Sequence, residues 1–196
     1  MKTVLALTGA SGTIYGIRLL RALADRQVHV DLIVSARAVE VIRHEQGLEL
    51  SLDRFDVERL LGQAAETVTF HHPADLFAPP ASGSAHYDGM AIVPCSMGTL
   101  GRVAAGVADD LLTRSADVFL KERRKLILAP RETPLSAIHL DNLTRLSAAG
   151  ATILPCMPSF YTHPQTVEDL VDTVVGRILD HLGVEHQLLP RWGEAS

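Results

Sequence analysis

Aromatic residues are scarce in this chain, 5% of 196 positions with a single tryptophan. There are only two cysteines, Cys95 and Cys156, each after a proline, and neither forms a CxxC pair or a Cys/His metal spacing. That excludes a disulfide scaffold and a zinc module, and leaves reduced, buried thiols of a cytoplasmic protein as the expectation. A basic excess is also missing: 18 Lys+Arg stand against 23 Asp+Glu, a formal net charge of −5. General affinity for nucleic acid, which needs a basic face to neutralise phosphates, is therefore not expected. No apolar run approaches the ~20 residues of a membrane helix. The start, MKTVLALTGASG, has an apolar run only at 4–7 that enters a glycine-containing turn, so it does not read as a signal peptide. The nine histidines are scattered, without HExxH or a facial triad, and adjacent His71 and His72 would point to opposite sides of an extended chain. No metal is expected.

What is present is a hydrophobic content of 47% over a length that fits one compact domain, residues 1–196. Short apolar runs at 3–7, 28–34, 67–70, 90–93, 125–129 and 151–154 read as strands. Helical spacing marks 15–26, 36–45, 53–63, 111–124, 136–149 and 167–182. Strands that are apolar on both faces and alternate with helices predict a parallel sheet with helices on both sides. The fold class expected is α/β, a Rossmann-like (flavodoxin-like) doubly wound sheet, whose ligands gather beyond the carboxyl ends of the strands.

Those ends carry the chemistry. The first reads Thr8-Gly9-Ala10-Ser11-Gly12, where small residues admit a ligand and the next helix start offers N–H groups to a phosphate. It is not GxGxxG, and Asp31 lies inside the second strand, so a mononucleotide fits better than a dinucleotide. A plain tight turn with Ser11 as a helix cap is the alternative. Ser35, Ser96 and Thr99 add hydroxyls at neighbouring ends. Arg131-Glu132 follow a buried strand directly, as a proton-transfer pair or a structural ion pair. Arg114 and Lys121 are seven apart and share a helix face, while the basic run 121–125 reads equally as a solvated last turn. Residues 70–88 form a long loop containing Ala81-Ser82-Gly83-Ser84.

At these same positions the sequence resembles the flavin prenyltransferases of the UbiX type. The blocks TGASGTIYG, APPASGS, PCSMGTL, LLTRSADVFLKERRKLILAPRETPLSAIHLDN, GATILPCMPSFYTHPQTVEDLVDTVVGRIL and LLPRW carry the likeness over nearly the whole chain. The resemblance implies a homo-oligomer, usually a dodecamer. It would join the dimethylallyl group of dimethylallyl monophosphate to N5 and C6 of reduced FMN without a metal. The product, prenylated FMN, would serve a UbiD-type decarboxylase. By motif, Gly9, Ala10, Ser11, Ser35, Ser96, Met97, Gly98, Thr99 and Arg131 would contact FMN. Tyr161 and Arg177 would hold the prenyl phosphate, with Lys121 and Arg114 adding charge, some of it from a neighbouring subunit. Ser11, Glu45, Lys121, Glu132, Tyr161 and Trp192 are the catalytic candidates. The tail from about 184 to 196 is expected to pack on a neighbouring subunit. Where some members carry tryptophan before PASGS, this chain has Leu76 or Phe77 to supply the apolar wall. Two other readings are an FMN-dependent cysteine decarboxylase of the same architecture, with His44 as its candidate histidine, and a non-catalytic FMN-binding module.

Overall fold

The computed structural model describes residues 1–189. Six strands, β1 (Lys2–Leu7), β2 (His29–Val34), β3 (Val68–His71), β4 (Gly89–Cys95), β5 (Leu126–Pro130) and β6 (Thr152–Ile153), form one sheet in the order β3-β2-β1-β4-β5-β6. Every pairing is parallel. Of the two doubly wound orders this is the Rossmann one, with the reversal of direction between β1 and β4 rather than the flavodoxin order.

Seven helices cover the two faces: α1 (Thr13–Asp25), α2 (Ala36–Gln46), α3 (Val57–Leu61), α4 (Met97–Ala104), α5 (Leu111–Lys121), α6 (Ala137–Ala148) and α7 (Val167–Leu182). Alternation along the strands splits the core in two. Leu5, Leu7, Leu32 and Val34 pack with Leu19, Leu23, Ile178 and Leu179 from α1 and α7. Val4, Ala6, Ile33 and Ile92 pack on the other side with Leu100, Leu112 and Phe119 from α4 and α5.

Three boundaries differ from the periodicity. The helix expected at 53–63 is only Val57–Leu61, because the Asp56 side chain caps it by accepting from Arg59 N at 2.8 Å. Phe55 leaves the helix to stack on Phe70, with ring centroids 4.2 Å apart. The helix expected to run to 124 ends at Lys121; Arg123 takes φ 54° and Arg124 turns back to bond loop carbonyls. The third difference is α4, eight residues with two glycines, too short for a periodic signal. Pro94 has no N–H to give, and the β4–β5 register shifts between Ile92 and Cys95. The start of the tail lies on its own chain: Val184 is buried and Glu185 O accepts from Arg26 Nε at 2.9 Å. Residues 190–196, with Trp192, lie outside the described residues. No helix among the described residues is long and apolar enough to cross a membrane.

Candidate functional site

The switch point lies between the carboxyl ends of β1 and β4, and Thr8 ties them together. Its Oγ1 donates to Pro94 O and accepts from Ser96 N, both at 2.7 Å. Ser35 N donates to Leu7 O at 3.0 Å, and Arg131 N to Cys95 O at 3.3 Å. These bonds bring residues 9–12, Ser35, residues 96–99 and Arg131 to one rim. At Gly9 the chain runs against Arg37, and any side chain at position 9 would clash with the Arg37 Cβ. At Gly98 a Cβ would meet nothing within 4 Å, so the rim is open there.

The helix starts on this rim are not equivalent. The reading of Ser11 as a cap, and of the α1 start as a free phosphate cradle, is corrected by Glu45. The α1 N-cap is Gly12 in the left-handed region, with no side-chain cap. Glu45 supplies one from 33 residues away, through Gly12 N at 2.9 Å, Thr13 N at 2.8 Å and Thr13 Oγ1 at 2.7 Å. Burial would raise the Glu45 pKa, but the bonds from Thr13, Ser11 and Gly12 outweigh it and hold the carboxyl below its usual range. A carboxylate at a helix start also meets the positive end of the dipole. At α4 and α2 the caps are local: Ser96 Oγ accepts from Thr99 N at 3.3 Å, and Ser35 Oγ from Ala38 N at 3.1 Å. The first-turn N–H groups of Met97, Gly98, Ala36 and Arg37 have no carbonyl four residues back and point toward the rim.

Arg131 and Glu132 are both exposed, so the expectation of a buried pair is corrected. Glu132 instead accepts from Thr133 N at 3.0 Å. Arg131 acts on its neighbours through charge. Burial pushes the Cys156 thiol up to about 12, and Arg131 opposes that. Burial likewise raises the Tyr15 phenol, Cys156 adds to it, and Arg131 opposes it. The sequence placed Thr8 at the first strand end without its role as a tie, and did not mark Tyr15; both matter here because of interactions made across the sheet end.

Seven other expected residues lie on other segments of the chain. Lys121 ends α5, which descends to the amino edge of the sheet, and pairs with Glu122. Arg114, on the same helix, bonds Ala81 O at 3.2 Å and Asp117 at 2.8 Å. Five residues of β5 separate that edge from Arg131, roughly 17 Å at the strand rise. Arg177 lies ten residues into α7, about 15 Å along its axis, and reaches Asp180 at 3.3 Å. Tyr161 is 59% exposed in the segment before α7. Phe77 is fully exposed and Leu76 partly so. His44 is exposed on the last turn of α2.

The doubly wound sheet and the open helix starts at its switch point define a flavoprotein, and a family model described as Flavoprotein matches residues 1–179. A flavin prenyltransferase UbiX of Pseudomonas aeruginosa is 48% identical over 197 residues, 98% of this chain and 94% of its own. One of Halalkalibacterium halodurans is 47% identical over 188 residues, 96% and 91% of the two chains. The crystal structure of AnUbiX (PadA1) with FMN and dimethylallyl pyrophosphate superposes with a TM-score of 0.87 at 42% identity, covering 100% of this chain and 98% of that one. A dodecameric FMN-dependent UbiX-like decarboxylase from Escherichia coli O157:H7 gives 0.87 at 44% identity, covering 98% and 99%. The peptidyl-cysteine decarboxylase EpiD shares the fold alone, with a TM-score of 0.60 at 17% identity. The chain belongs to the UbiX family of flavin prenyltransferases, and its class is that of a transferase.

Proposed function

We propose that this chain joins the dimethylallyl group of dimethylallyl monophosphate to N5 and C6 of reduced FMN. The observation that carries the reading is the presence of two separate anion-handling surfaces. One is the rim of open helix starts at Met97–Gly98 and Ala36–Arg37, which suits the flavin phosphate together with Ser35, Ser96, Thr99 and Arg131. The other is the Arg114/Lys121 face of α5, which runs down to Lys121 at the opposite edge of the sheet and suits the prenyl phosphate of a neighbouring copy. A site assembled from copies supports a homo-oligomer, and we extend to this chain the dodecamer described for the E. coli relative.

Reduced flavin supplies the electron-rich ring. The allylic C–O bond breaks with its electron pair leaving on phosphate, where Lys121, Arg114, Arg177 and Tyr161 stabilise the growing charge. One end of the allyl unit bonds to N5, whose proton leaves; the remaining alkene is then protonated at its central carbon, so that its other end can bond to C6, and the C6 proton goes to a base, Glu132 or the departing phosphate. Glu45 with Ser11 stands on the flavin rim as a fixed carboxylate for the N5 side. The free thiols Cys95 and Cys156 support a reducing, cytoplasmic compartment, where a UbiD-type decarboxylase would take the product.

The test is anaerobic incubation with FMN, reductant and either dimethylallyl mono- or diphosphate, followed by mass spectrometry of the extracted flavin. A flavin heavier by one dimethylallyl unit, formed only after reduction, is expected. Glu132→Gln is expected to bind FMN normally and accumulate flavin attached by a single bond. Equal reaction of oxidised FMN, or decarboxylation of a peptidyl cysteine instead, would overturn the reading.

A further inference from the structure

The connection from β3 to β4 returns from the carboxyl to the amino edge of the sheet without an α-helix, as a strap of residues 72–88 lying along α5. The strap is bonded to that region along its length. Leu111 N donates to Pro73 O at 2.8 Å, and Arg114 Nε to Ala81 O at 3.2 Å. Arg124 donates to Gly83 O and to Ala85 O, each at 2.6 Å. At Gly83 the strap passes so close that an added Cβ would lie 2.9 Å from Lys121 Nζ and 2.5 Å from Glu122 Oε1. The position of the strap and the attitude of Arg114 and Lys121 are therefore one geometric problem.

Both ends of the strap come to Asp31, a 4%-exposed carboxylate in β2. The Tyr87 hydroxyl, at one end, donates to Asp31 Oδ2. His71, the last residue of β3 before the other end, places Nε2 3.1 Å from Oδ1, a close contact without hydrogen-bond geometry. Lys2 Nζ lies 3.0 Å from Oδ2 and 4.7 Å from the centre of the Tyr87 ring. Burial alone would raise the Asp31 pKa, yet His71, Tyr87 and Lys2 together hold it at about 2. A carboxylate that is ionised and nearly sealed from water holds the Tyr87 hydroxyl firmly, because losing it would leave that group buried and unpaired.

We infer that Asp31 is a positioning residue, which anchors the 72–88 strap through Tyr87, faces His71 at its other end, and through the strap sets Arg114 and Lys121 for the prenyl phosphate of a neighbouring copy. The second half rests on the proposed function; the first does not. Loss of a generally structural ion cluster would lower stability throughout the molecule, whereas loss of an anchor of one segment loosens that segment alone.

The experiment is Asp31→Asn in the intact, FMN-loaded oligomer, read by amide hydrogen exchange and by steady-state kinetics. Exchange over residues 74–86 is expected to rise about tenfold, with β1, β4 and β5 unchanged, as one charged hydrogen-bond acceptor is lost. KM for the prenyl phosphate is expected to rise about tenfold while FMN affinity holds, since only the cation surface is disturbed. Tyr87→Phe keeps its ring beside Phe119, 6.0 Å between centroids, and is expected to give a smaller effect of the same kind. Added to Asp31→Asn it should change little further, because both act through one contact; it also carries the test if Asp31→Asn does not fold. Unchanged strap exchange, faster exchange everywhere, or a looser strap with KM unaltered would each overturn the inference. Exchange needs no turnover, so a wild-type protein that transfers no prenyl group would refute the proposed function while leaving the strap result readable.

Discussion

Lys121 and Arg131 belong to one chemical proposal, yet in one chain they stand at opposite edges of the sheet. The strand between them, β5, covers Leu126–Pro130, roughly 17 Å of rise, which is longer than a lysine side chain can reach. Both side chains are well exposed, Lys121 at 46%, so Lys121→Ala and Arg131→Ala should leave the fold intact. Each variant alone is expected to lose about 10²-fold or more in prenyl transfer, the usual cost of removing a group that stabilises developing charge. Co-expressed in equal amounts, the two variants assemble at random. A site that draws Arg131 from one copy and Lys121 from another is then intact with a probability of one half times one half, about a quarter of the wild-type site number. If both residues acted within one chain, no site could be whole and no activity would return. The assay is prenyl transfer by the purified mixture, with native mass spectrometry to show that mixed oligomers formed. Mixed oligomers with no more activity than either parent would refute the composite site.

Two predictions concern the framework of the site. Gly16 of α1 lies against β4 and β1, where an added Cβ would collide with Val93 O and sit 2.9 Å from Leu7 Cγ; Gly16→Ala is expected to cost about 1–3 kcal/mol, seen as a lower Tm, and an unchanged Tm would contradict this packing. Glu45 has a folded pKa below its ordinary 4.5, so its contribution to stability is full above 4.5 and lost as the pH falls through the folded value; the stability gap between wild type and Glu45→Gln, measured by urea unfolding, should therefore be widest at neutral pH and shrink under acid conditions.

Much of this was legible in the sequence because parallel strands buried on both faces read as continuous apolar runs, and the first, second, fourth and fifth were located to within a residue or two. The rim was legible for a related reason: Gly9, Ser35, Ser96 and Gly98 follow those runs where the chain must turn and a ligand can approach. The losses were of two kinds. Short elements such as α4 and α3 offer too few turns for a 3.6-residue period to emerge, and Phe55 is drawn to Phe70 by packing that no local pattern contains. Long-range contacts are silent in sequence altogether. Arg114 and Lys121 were correctly placed on one face of a helix, but that α5 carries Lys121 down to the far edge depends on the topology. Asp31 was visible only as an acidic residue within a strand; its meaning comes from His71 and Tyr87, 40 and 56 residues away.

The use of Glu45 separates two roles that the glycine motif alone merges. A helix start can receive a phosphate or a carboxylate, and the N–H groups of Gly12 and Thr13 cannot serve both at full strength. With Glu45 taking them at 2.8–2.9 Å, a phosphate at α1 would have to displace a carboxylate that already holds that cradle against a like charge. At α4 and α2 it displaces nothing, since Ser96 and Ser35 cap deeper in the turn and leave the first N–H groups outward. On the proposed reading, the flavin's phosphate would go to the Ser35 and Ser96–Thr99 side of the switch point. The carboxylate at residues 11–13 would then stand beside the other end of the molecule, with the ring and its N5. A fixed carboxylate is of use at a ring nitrogen that exchanges a proton and gains a bond; beside a dianionic phosphate it would only repel.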